Sequence, residues 1–401
     1  MASRMTDDLR ALFLRHVCQT SAEPMGLVVA DARGAMVRDV EGREYLDLLA
    51  GMGVANVGHA HPEVVAAVST QAARHLHVMV YGEFVQEPQV RLAARLAGLL
   101  PASLSTVYFT SSGAEAVDGA LKTARKATRR PRFVAFIGGF HGDTWGALSV
   151  GGNALYRRPF EPLLPDVELL PFDDERALAR IDERTAAVIV EPVQAEGGVR
   201  IPGRDFLPAL RRRCDAVGAL LVFDEVVTAF GRTGRLFGHQ HWHVVPDLIV
   251  LAKALGGGMP LGAFVGSPSL MRTLGEEPPL AHVTTFGGHP VSCAAGLAAL
   301  EILLRDRLVD RASTLGDHLL QRLHALIGRG GLATVRGLGL LIGLEFADAD
   351  SCARFVTRAW QQRLILNWTL HRDTVVRLTP SLTLSDGEAD LALSRIATAL
   401  D

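Results

Sequence analysis

One lysine in this chain occupies a position that suits a reactive amine. Lys122, Lys126 and Lys253 are the only lysines among 41 lysine and arginine residues. Lys253 follows the apolar run 248–252 and precedes the glycine-rich turn 254–258. Partial burial lowers the pKa of a lysine and so supplies the neutral amine that forms a Schiff base with a carbonyl group. A lysine paired with an acid for structural reasons would fit the same position.

Two acidic residues follow other apolar runs. Glu191 comes directly after the run 186–190, and Asp224 comes directly after the run 219–223. Open parallel sheets bind ligands beyond the carboxyl ends of their strands. If these runs are neighbouring strands, the two acids and Lys253 meet at one edge of the sheet.

A small-residue turn at Ser112, Gly113 and Ala114 separates the apolar run 106–110 from a helical pattern over 114–127. The backbone N–H groups at such a helix start, together with a serine hydroxyl, favour a phosphate group. The same residues also fit an ordinary N-cap and a tight turn.

The lysine, the carboxylate and the phosphate cradle together suit one cofactor, pyridoxal 5'-phosphate. Its aldehyde needs a lysine, its pyridine nitrogen stays protonated beside a carboxylate, and its phosphate needs an anchor. One cofactor explains the three features better than three coincidences.

The elements that must position these residues alternate between strands and helices along the middle of the chain. Short apolar runs predict strands, and amphipathic segments between them predict helices, as at 89–100, 114–127 and 206–217. This alternation predicts an α/β fold with a mostly parallel sheet. We expect a small domain built from residues 1–57 and 297–401, and a large cofactor-binding domain over 58–296.

The composition is that of an ordinary globular protein. Charged residues make up 21% of the chain, hydrophobic residues 48%, and the formal net charge is -2. These values exclude bulk disorder and a general electrostatic attraction to nucleic acid. The four cysteines are dispersed without zinc-ligand spacing, and no secretory or membrane-spanning apolar run is evident. We expect a cytoplasmic protein with no metal, nucleic-acid or membrane partner.

Nearly the whole chain resembles the class III, fold-type I pyridoxal-phosphate aminotransferases, the group that includes acetylornithine, ornithine, 4-aminobutyrate and other ω-aminotransferases. The matching stretches occur in the family's order at 45–47, 58–62, 112–116, 140–142, 191–194, 224–234, 246–247, 251–258 and 285–288. The resemblance implies a large domain with a mostly parallel seven-stranded sheet, a small α+β domain built from both chain ends, and a homodimer with shared active sites.

The resemblance also implies roles for individual residues. Lys253 would form the Schiff base and shuttle a proton, and Asp224 would pair with the pyridinium nitrogen. Phosphate would bind at Ser112, Gly113 and Ala114. The remaining contacts would be Phe140 stacking on the ring, Glu191 and Val227 near the ring oxygen, and Thr285 reaching the phosphate in the neighbouring subunit.

For the substrate, Arg377 matches the family arginine that grips an α-carboxylate, since a guanidinium offers two parallel hydrogen bonds. Glu196 matches an acid that pairs with this arginine when no carboxylate is present. From the residues alone, the two could equally be unrelated ions that lie far apart.

Several positions depart from the ornithine-type pattern. Asp143 stands where those members commonly have an arginine, Val227 where they commonly have glutamine, and His289 replaces the usual asparagine. The pocket segment 51–54, with Met79, Tyr81 and Trp368, looks apolar. These differences speak against specificity for acetylornithine.

The resemblance implies ping-pong transfer of an amino group between an amine or amino acid and an oxo acid or aldehyde, with glutamate and 2-oxoglutarate as one pair. An aminomutase, a racemase or a decarboxylating relative would use the same cofactor and residues. A protein that keeps the fold for binding or regulation, without catalysis, is a third possibility.

Overall fold

The computed structural model describes residues 2–80 and 82–401, so Tyr81 lies outside the described residues. The helices are α1 (Ala2–His16), α2 (Ala50–Gly53), α3 (Pro62–Arg74), α4 (Glu87–Leu99), α5 (Gly113–Thr128), α6 (Trp145–Ser149), α7 (Ala154–Arg157), α8 (Phe206–Val217), α9 (Pro268–Arg272), α10 (Pro290–Arg305), α11 (Leu308–His324), α12 (Ala349–Gln361) and α13 (Asp386–Leu400).

The strands are β1 (Val29–Arg33), β2 (Met36–Asp39), β3 (Glu44–Asp47), β4 (Thr106–Thr110), β5 (Arg132–Phe136), β6 (Val167–Leu170), β7 (Thr185–Val190), β8 (Leu220–Asp224), β9 (Leu248–Leu251), β10 (Gly262–Gly266), β11 (Leu332–Leu338), β12 (Leu341–Phe346), β13 (Leu364–Ile365), β14 (Asn367–Thr369) and β15 (Arg372–Leu378).

A seven-stranded sheet forms the centre of the molecule, in the order β4-β10-β9-β8-β7-β5-β6. β10 runs antiparallel to both of its neighbours, and the pairs from β9 to β6 are parallel. Every residue of β7 and β9 is buried, as expected for parallel strands covered on both faces. The predicted α/β fold with a mostly parallel seven-stranded sheet is confirmed.

Helices cover the two faces of this sheet, and β5 shows how its residues divide between them. Phe133 and Ala135 pack in the same apolar cluster as α5, whereas Val134 and Phe136 pack with α8. Successive side chains of a strand point to opposite faces, so one apolar strand serves both layers.

Two smaller sheets hold the two ends of the chain. The first has the order β1-β2-β3-β13, and the second has the order β11-β12-β15-β14. In the first, β13 pairs in parallel with β3, so Leu364 lies opposite Leu46. We call the part around the seven-stranded sheet the large domain and the part with these two sheets the small domain. The predicted small domain made from both chain ends is confirmed, and its limits at residues 57 and 297 stay a prediction.

Three adjacent parallel strands, β7, β8 and β9, end on the same edge of the large sheet. Glu191 follows the first, Asp224 ends the second, and Lys253 comes two residues after the third. The sheet therefore brings these three side chains to one edge. Separately, none of the helices within residues 2–80 and 82–401 combines the length with the apolar character that crossing a bilayer demands.

Candidate active site

A cavity of about 400 Å³ lies at this edge of the large sheet. Most of the predicted site residues line it, namely Ser112, Gly113, Ala114, Phe140, Glu191, Glu196, Asp224, Val227 and Lys253. Arg377 reaches the same place through its contact with Glu196. Residues from distant parts of the chain thus surround one space.

Lys253 follows β9 in a left-handed conformation, with φ of 50°. This conformation is uncommon for a residue with a side chain and is held here by the turn 254–258. Burial lowers the pKa of Lys253, and the positive charge of Arg377 lowers it further. Both effects shift Lys253 toward the neutral amine, which is the nucleophilic form.

Asp224 is buried and held in one orientation. Its Oδ2 lies 2.7 Å from Nδ1 of His141, and the N–H of Val226 donates to its Oδ1 at 3.0 Å. Burial by itself would lower the pKa of His141, but the hydrogen bond and the charge of Asp224 raise it overall. The buried hydrogen bond to His141 therefore fixes the orientation of the Asp224 carboxylate.

His141 is a site residue to which the sequence reasoning assigned no role. It lies in the matched stretch 140–142, so the motif contained it, but its partner Asp224 is 83 positions away. In the sequence, only the residue type of His141 and its position next to Phe140 could have indicated a role in the site.

Glu191 lines the cavity and connects two loops through hydrogen bonds. Its carboxylate accepts the N–H of Phe140 and the N–H of Ala195, both at 3.0 Å. Burial raises the pKa of Glu191 to about 7, with His141 opposing the shift and Asp224 adding to it. Glu191 thus fixes the Phe140 loop on one side and the loop that carries Glu196 on the other.

The start of α5 also lines the cavity, through Ser112, Gly113 and Ala114. Ser112 caps this helix by accepting the N–H of Glu115 at 3.2 Å, and the first helical N–H groups have no partner inside the helix. A Cβ on Gly113 would lie 3.2 Å from the Cβ of Ala252, and a Cβ on Gly142 would lie 2.5 Å from the Cβ of Ala114. Glycine at these positions lets three segments approach closely around the helix start.

Arg377 and Glu196 form a buried ion pair at the small-domain side of the cavity, and they are only 2% and 6% exposed. The N–H of Leu370 donates to Oε2 of Glu196 at 2.8 Å, and Nη2 of Arg377 lies 3.4 Å from the Met52 sulfur. Burial alone would raise the pKa of Glu196, but the charge and hydrogen bond of Arg377 lower it overall. The two residues are therefore in contact, not far apart.

The other positions noted from the sequence lie around this site. Thr285 is exposed between α9 and α10 and does not line the cavity, and Asp143 is exposed on the loop after Gly142. The ring of His289 stacks on that of His77 with centroids 5.6 Å apart. Of the residues that we expected to make an apolar pocket, Val54 lines the cavity, whereas Met79 and Trp368 are exposed and do not.

Comparison with known proteins agrees with this arrangement. The family model described as aminotransferase class-III matches residues 17–400. An acetylornithine aminotransferase of Methanopyrus kandleri is 43% identical over 386 residues, which cover 96% of this chain and 96% of that protein. A putrescine aminotransferase of Pectobacterium atrosepticum is 43% identical over 362 residues, which cover 86% of this chain and 76% of that protein.

A solved structure of similar fold is that of an ornithine aminotransferase from Toxoplasma gondii. It matches with a TM-score of 0.91 and 32% identity, covering 98% of this chain and 94% of that chain. The family model and these relatives confirm the resemblance that the sequence motifs indicated. The chain belongs to the class III aminotransferases, transferases of fold type I that use pyridoxal phosphate.

Proposed function

We propose that this aminotransferase takes an amino group from an amine or ω-amino donor, and that glutamate and 2-oxoglutarate form its carboxylate-bearing pair. The observation that carries the proposal is the buried Glu196–Arg377 ion pair beside Lys253. A buried guanidinium that a neighbouring acid neutralises can receive a substrate carboxylate when the acid withdraws, and can remain neutralised when the substrate has none.

The chemistry of the donor set fits pyridoxal phosphate. Lys253 supplies an amine of lowered pKa, and Asp224 supplies a buried carboxylate backed by His141. The start of α5 at Gly113 supplies N–H groups for a phosphate, and Phe140 supplies an aromatic face at the cavity wall. When bound, this cofactor supplies an aldehyde carbon for the donor nitrogen and a ring that accepts electrons.

The protein's own residues would then bind, orient and move protons. Lys253 would take a proton from the donor carbon that bears the nitrogen and deliver it to the carbon that the cofactor's aldehyde supplies, because its neutral amine is a base within the cavity. Asp224, oriented by His141, would stabilise a positive charge on the cofactor's ring nitrogen. Glu191 would keep the Phe140 loop in place through the N–H that it accepts.

The substrate side supports a donor that carries positive charge away from the reacting amine. Asp143 is exposed and directly follows Gly142, which lines the cavity. An acid there would repel a second carboxylate and attract an ammonium group. The relative at 43% identity from Pectobacterium atrosepticum is named for putrescine, a diamine. A diamine or a related ω-amine is therefore the donor that we propose first.

We also propose a homodimer in the cytoplasm, in which Thr285 reaches the partner's phosphate site. Exposed apolar side chains lie on segments close to Thr285 in sequence or structure and would be covered by a second copy, as with Leu76, Phe84, Val85, Leu280, Val283 and Phe286. Cys214, Cys293 and Cys352 are buried and free, which suits a reducing compartment.

A nitrogen-transfer screen tests the proposal. Holoenzyme is given donors labelled with heavy nitrogen, including putrescine, 4-aminobutyrate, acetylornithine and glutamate, together with 2-oxoglutarate, pyruvate or an aldehyde. We expect labelled glutamate from putrescine and 2-oxoglutarate, and no transfer by Lys253→Ala. Label that stays within the donor molecule would support the mutase alternative, loss of its carboxyl group would support decarboxylation, and full activity of Lys253→Ala would refute the assignment.

A further inference from the structure

The hairpin turn between β14 and β15 attaches to the large domain beside the substrate side of the cavity. Tyr156 donates its hydroxyl hydrogen bond to the carbonyl of Leu370 at 2.8 Å, and its ring stacks on that of His371 with centroids 5.3 Å apart. Nδ1 of His371 donates to the carbonyl of Gly138 at 3.3 Å, and its ring meets Phe140 edge-on at 5.6 Å. The turn is thus held at several points.

The same turn holds Glu196. The N–H of Leu370 donates to Oε2 of the Glu196 carboxylate at 2.8 Å, and the next N–H, of His371, donates to the Glu196 carbonyl at 3.1 Å. Arg377 binds the other carboxylate oxygen, Oε1. One side chain is therefore held by a guanidinium on one oxygen and by a backbone amide on the other.

These two contacts respond differently to a substrate. A substrate carboxylate competes directly for the Arg377 guanidinium, which can form two parallel hydrogen bonds to it. The Leu370 amide, in contrast, holds Glu196 in the orientation that faces Arg377, and hydrogen bonds to a charged acceptor are stronger than neutral ones. Tighter attachment of the turn consequently favours the paired state of Arg377 over the state that is open to a carboxylate.

We propose that Tyr156 and His371 are positioning residues that set how readily Arg377 accepts a substrate carboxylate, because they hold the Leu370–His371 turn against Glu196. Nothing in the family resemblance assigned a role to either residue. The inference rests on the proposed function of Arg377 and Glu196. It extends that function by naming the residues that set the preference of this chain for carboxylate or amine substrates.

Tyr156→Phe is the sharpest test, because it removes one hydroxyl and keeps the ring on His371. In holoenzyme, we expect the Kd of glutarate, a dicarboxylate with no amino group, and the KM of glutamate to fall about three- to fivefold, the scale of one hydrogen bond. The KM of putrescine should rise by a similar factor, because an unpaired guanidinium repels a cationic amine. The kcat for each substrate should change less than about twofold.

His371→Ala should change the glutarate Kd and the KM values of glutamate and putrescine in the same directions as Tyr156→Phe, and by larger factors. His371→Phe keeps a ring between Tyr156 and Phe140, so its values should lie closer to those of the native enzyme. Tyr45→Phe is the matched control. It also removes one tyrosine hydroxyl, 3.4 Å from Asp39 in the small domain, and should leave every constant unchanged.

The proposal is supported if the glutarate Kd and the glutamate KM fall while the putrescine KM rises. It is overturned if all of these constants rise, or if Tyr156→Phe changes none of them. If His371→Ala does not fold, Tyr156→Phe decides alone, and if putrescine is not a substrate, the glutarate Kd decides. Failure of the proposed function is recognised separately, because Arg377→Ala in an otherwise native chain would then bind glutarate as tightly as the native enzyme.

Discussion

The two sides of the cavity, which we propose bind the cofactor and the substrate, are assembled in different ways. Glu191, Asp224 and Lys253 are carried by three adjacent parallel strands, and each lies at or just beyond a strand end. Arg377, in contrast, comes from the small domain, where it contacts Met52, and it meets Glu196 of the large domain across the domain boundary.

Because the two sides are assembled differently, we expect them to control different properties of the reaction. The sheet fixes the cofactor side regardless of what occupies the substrate side, so changes there should affect every substrate alike. The substrate side depends on how the small domain sits against the large one, so changes there should distinguish one substrate from another. The predictions below test this separation, beginning with the largest effect.

Asp224→Asn should lower kcat about a thousandfold for every donor, because a neutral amide no longer stabilises positive charge on the ring nitrogen. Steady-state rates with glutamate and with an amine provide the measurement. The control is Asp247→Asn, which removes a carboxylate at the opposite end of β9, where it binds Arg211 at 2.8 Å. That variant should lose stability but keep kcat, and a donor-dependent loss in Asp224→Asn would contradict the separation.

Arg377→Ala should lower kcat/KM for glutamate and 2-oxoglutarate about a hundredfold, the size expected for losing a buried charged hydrogen-bond partner. An amine without a carboxylate should lose far less, since it does not use the guanidinium. Competition between the two donors in one reaction measures the ratio. Arg322→Ala, which removes an exposed arginine of α11, serves as the control, and equal losses for both donors would exclude the carboxylate role.

Glu191→Gln should change how the stability of the cofactor-free protein depends on pH. Burial raises the pKa of Glu191 to about 7, so its stabilising contribution is fully present below its ordinary pKa and is lost as the pH rises through about 7. The amide stays neutral at every pH. Relative to the native protein, the free energy of unfolding of the variant should therefore rise by on the order of 2 kcal/mol between about pH 5 and 8.

Urea unfolding across this pH range measures the difference. Glu183→Gln, at an exposed position, is the control. A difference between Glu191→Gln and the native protein that stays constant with pH would show that the Glu191 carboxyl does not titrate in this range.

Ser112→Ala should weaken cofactor binding about fivefold, which corresponds to about 1 kcal/mol for the loss of a cap and a phosphate ligand. Cofactor titration of the apoprotein measures the Kd. Ser385→Ala removes the equivalent cap of α13, where Ser385 accepts the N–H of Glu388 at 3.2 Å. This control should lose similar stability and keep its cofactor affinity, and unchanged affinity in Ser112→Ala would limit that serine to capping.

The sequence was sufficient to predict the large sheet and the residues at its strand ends. The apolar run 106–110 located β4 at its observed limits, and the amphipathic segment 206–217 did the same for α8. The run 219–223 placed β8 one residue too early, since this strand spans Leu220–Asp224. Strand-end position then singled out Glu191, Asp224 and Lys253, because neighbouring parallel strands end at one edge. Their catalytic and binding roles stay predictions.

The residues on the small-domain side of the cavity were harder to predict from the sequence, for physical reasons. Glu196 and Arg377 are 181 positions apart, and the residues alone did not show whether they meet. The Leu370–His371 turn contacts Glu196 through backbone N–H groups, which every residue except proline has, so no residue type marks these contacts. Likewise, Met79 and Trp368 were apolar residues expected in the pocket, yet composition could not tell that they face outward.

The parallel pairing of β3 with β13 also has a consequence for biosynthesis. Residues 46 and 364 are neighbours in the first small sheet, so this contact must wait until residue 364 has left the ribosome. Strands β4 to β10 emerge earlier and can associate while translation continues. A nascent chain therefore has the strand that precedes Lys253 well before it has Arg377, the arginine that we propose selects among substrates. Contacts between positions as remote as 46 and 364 are slow to form.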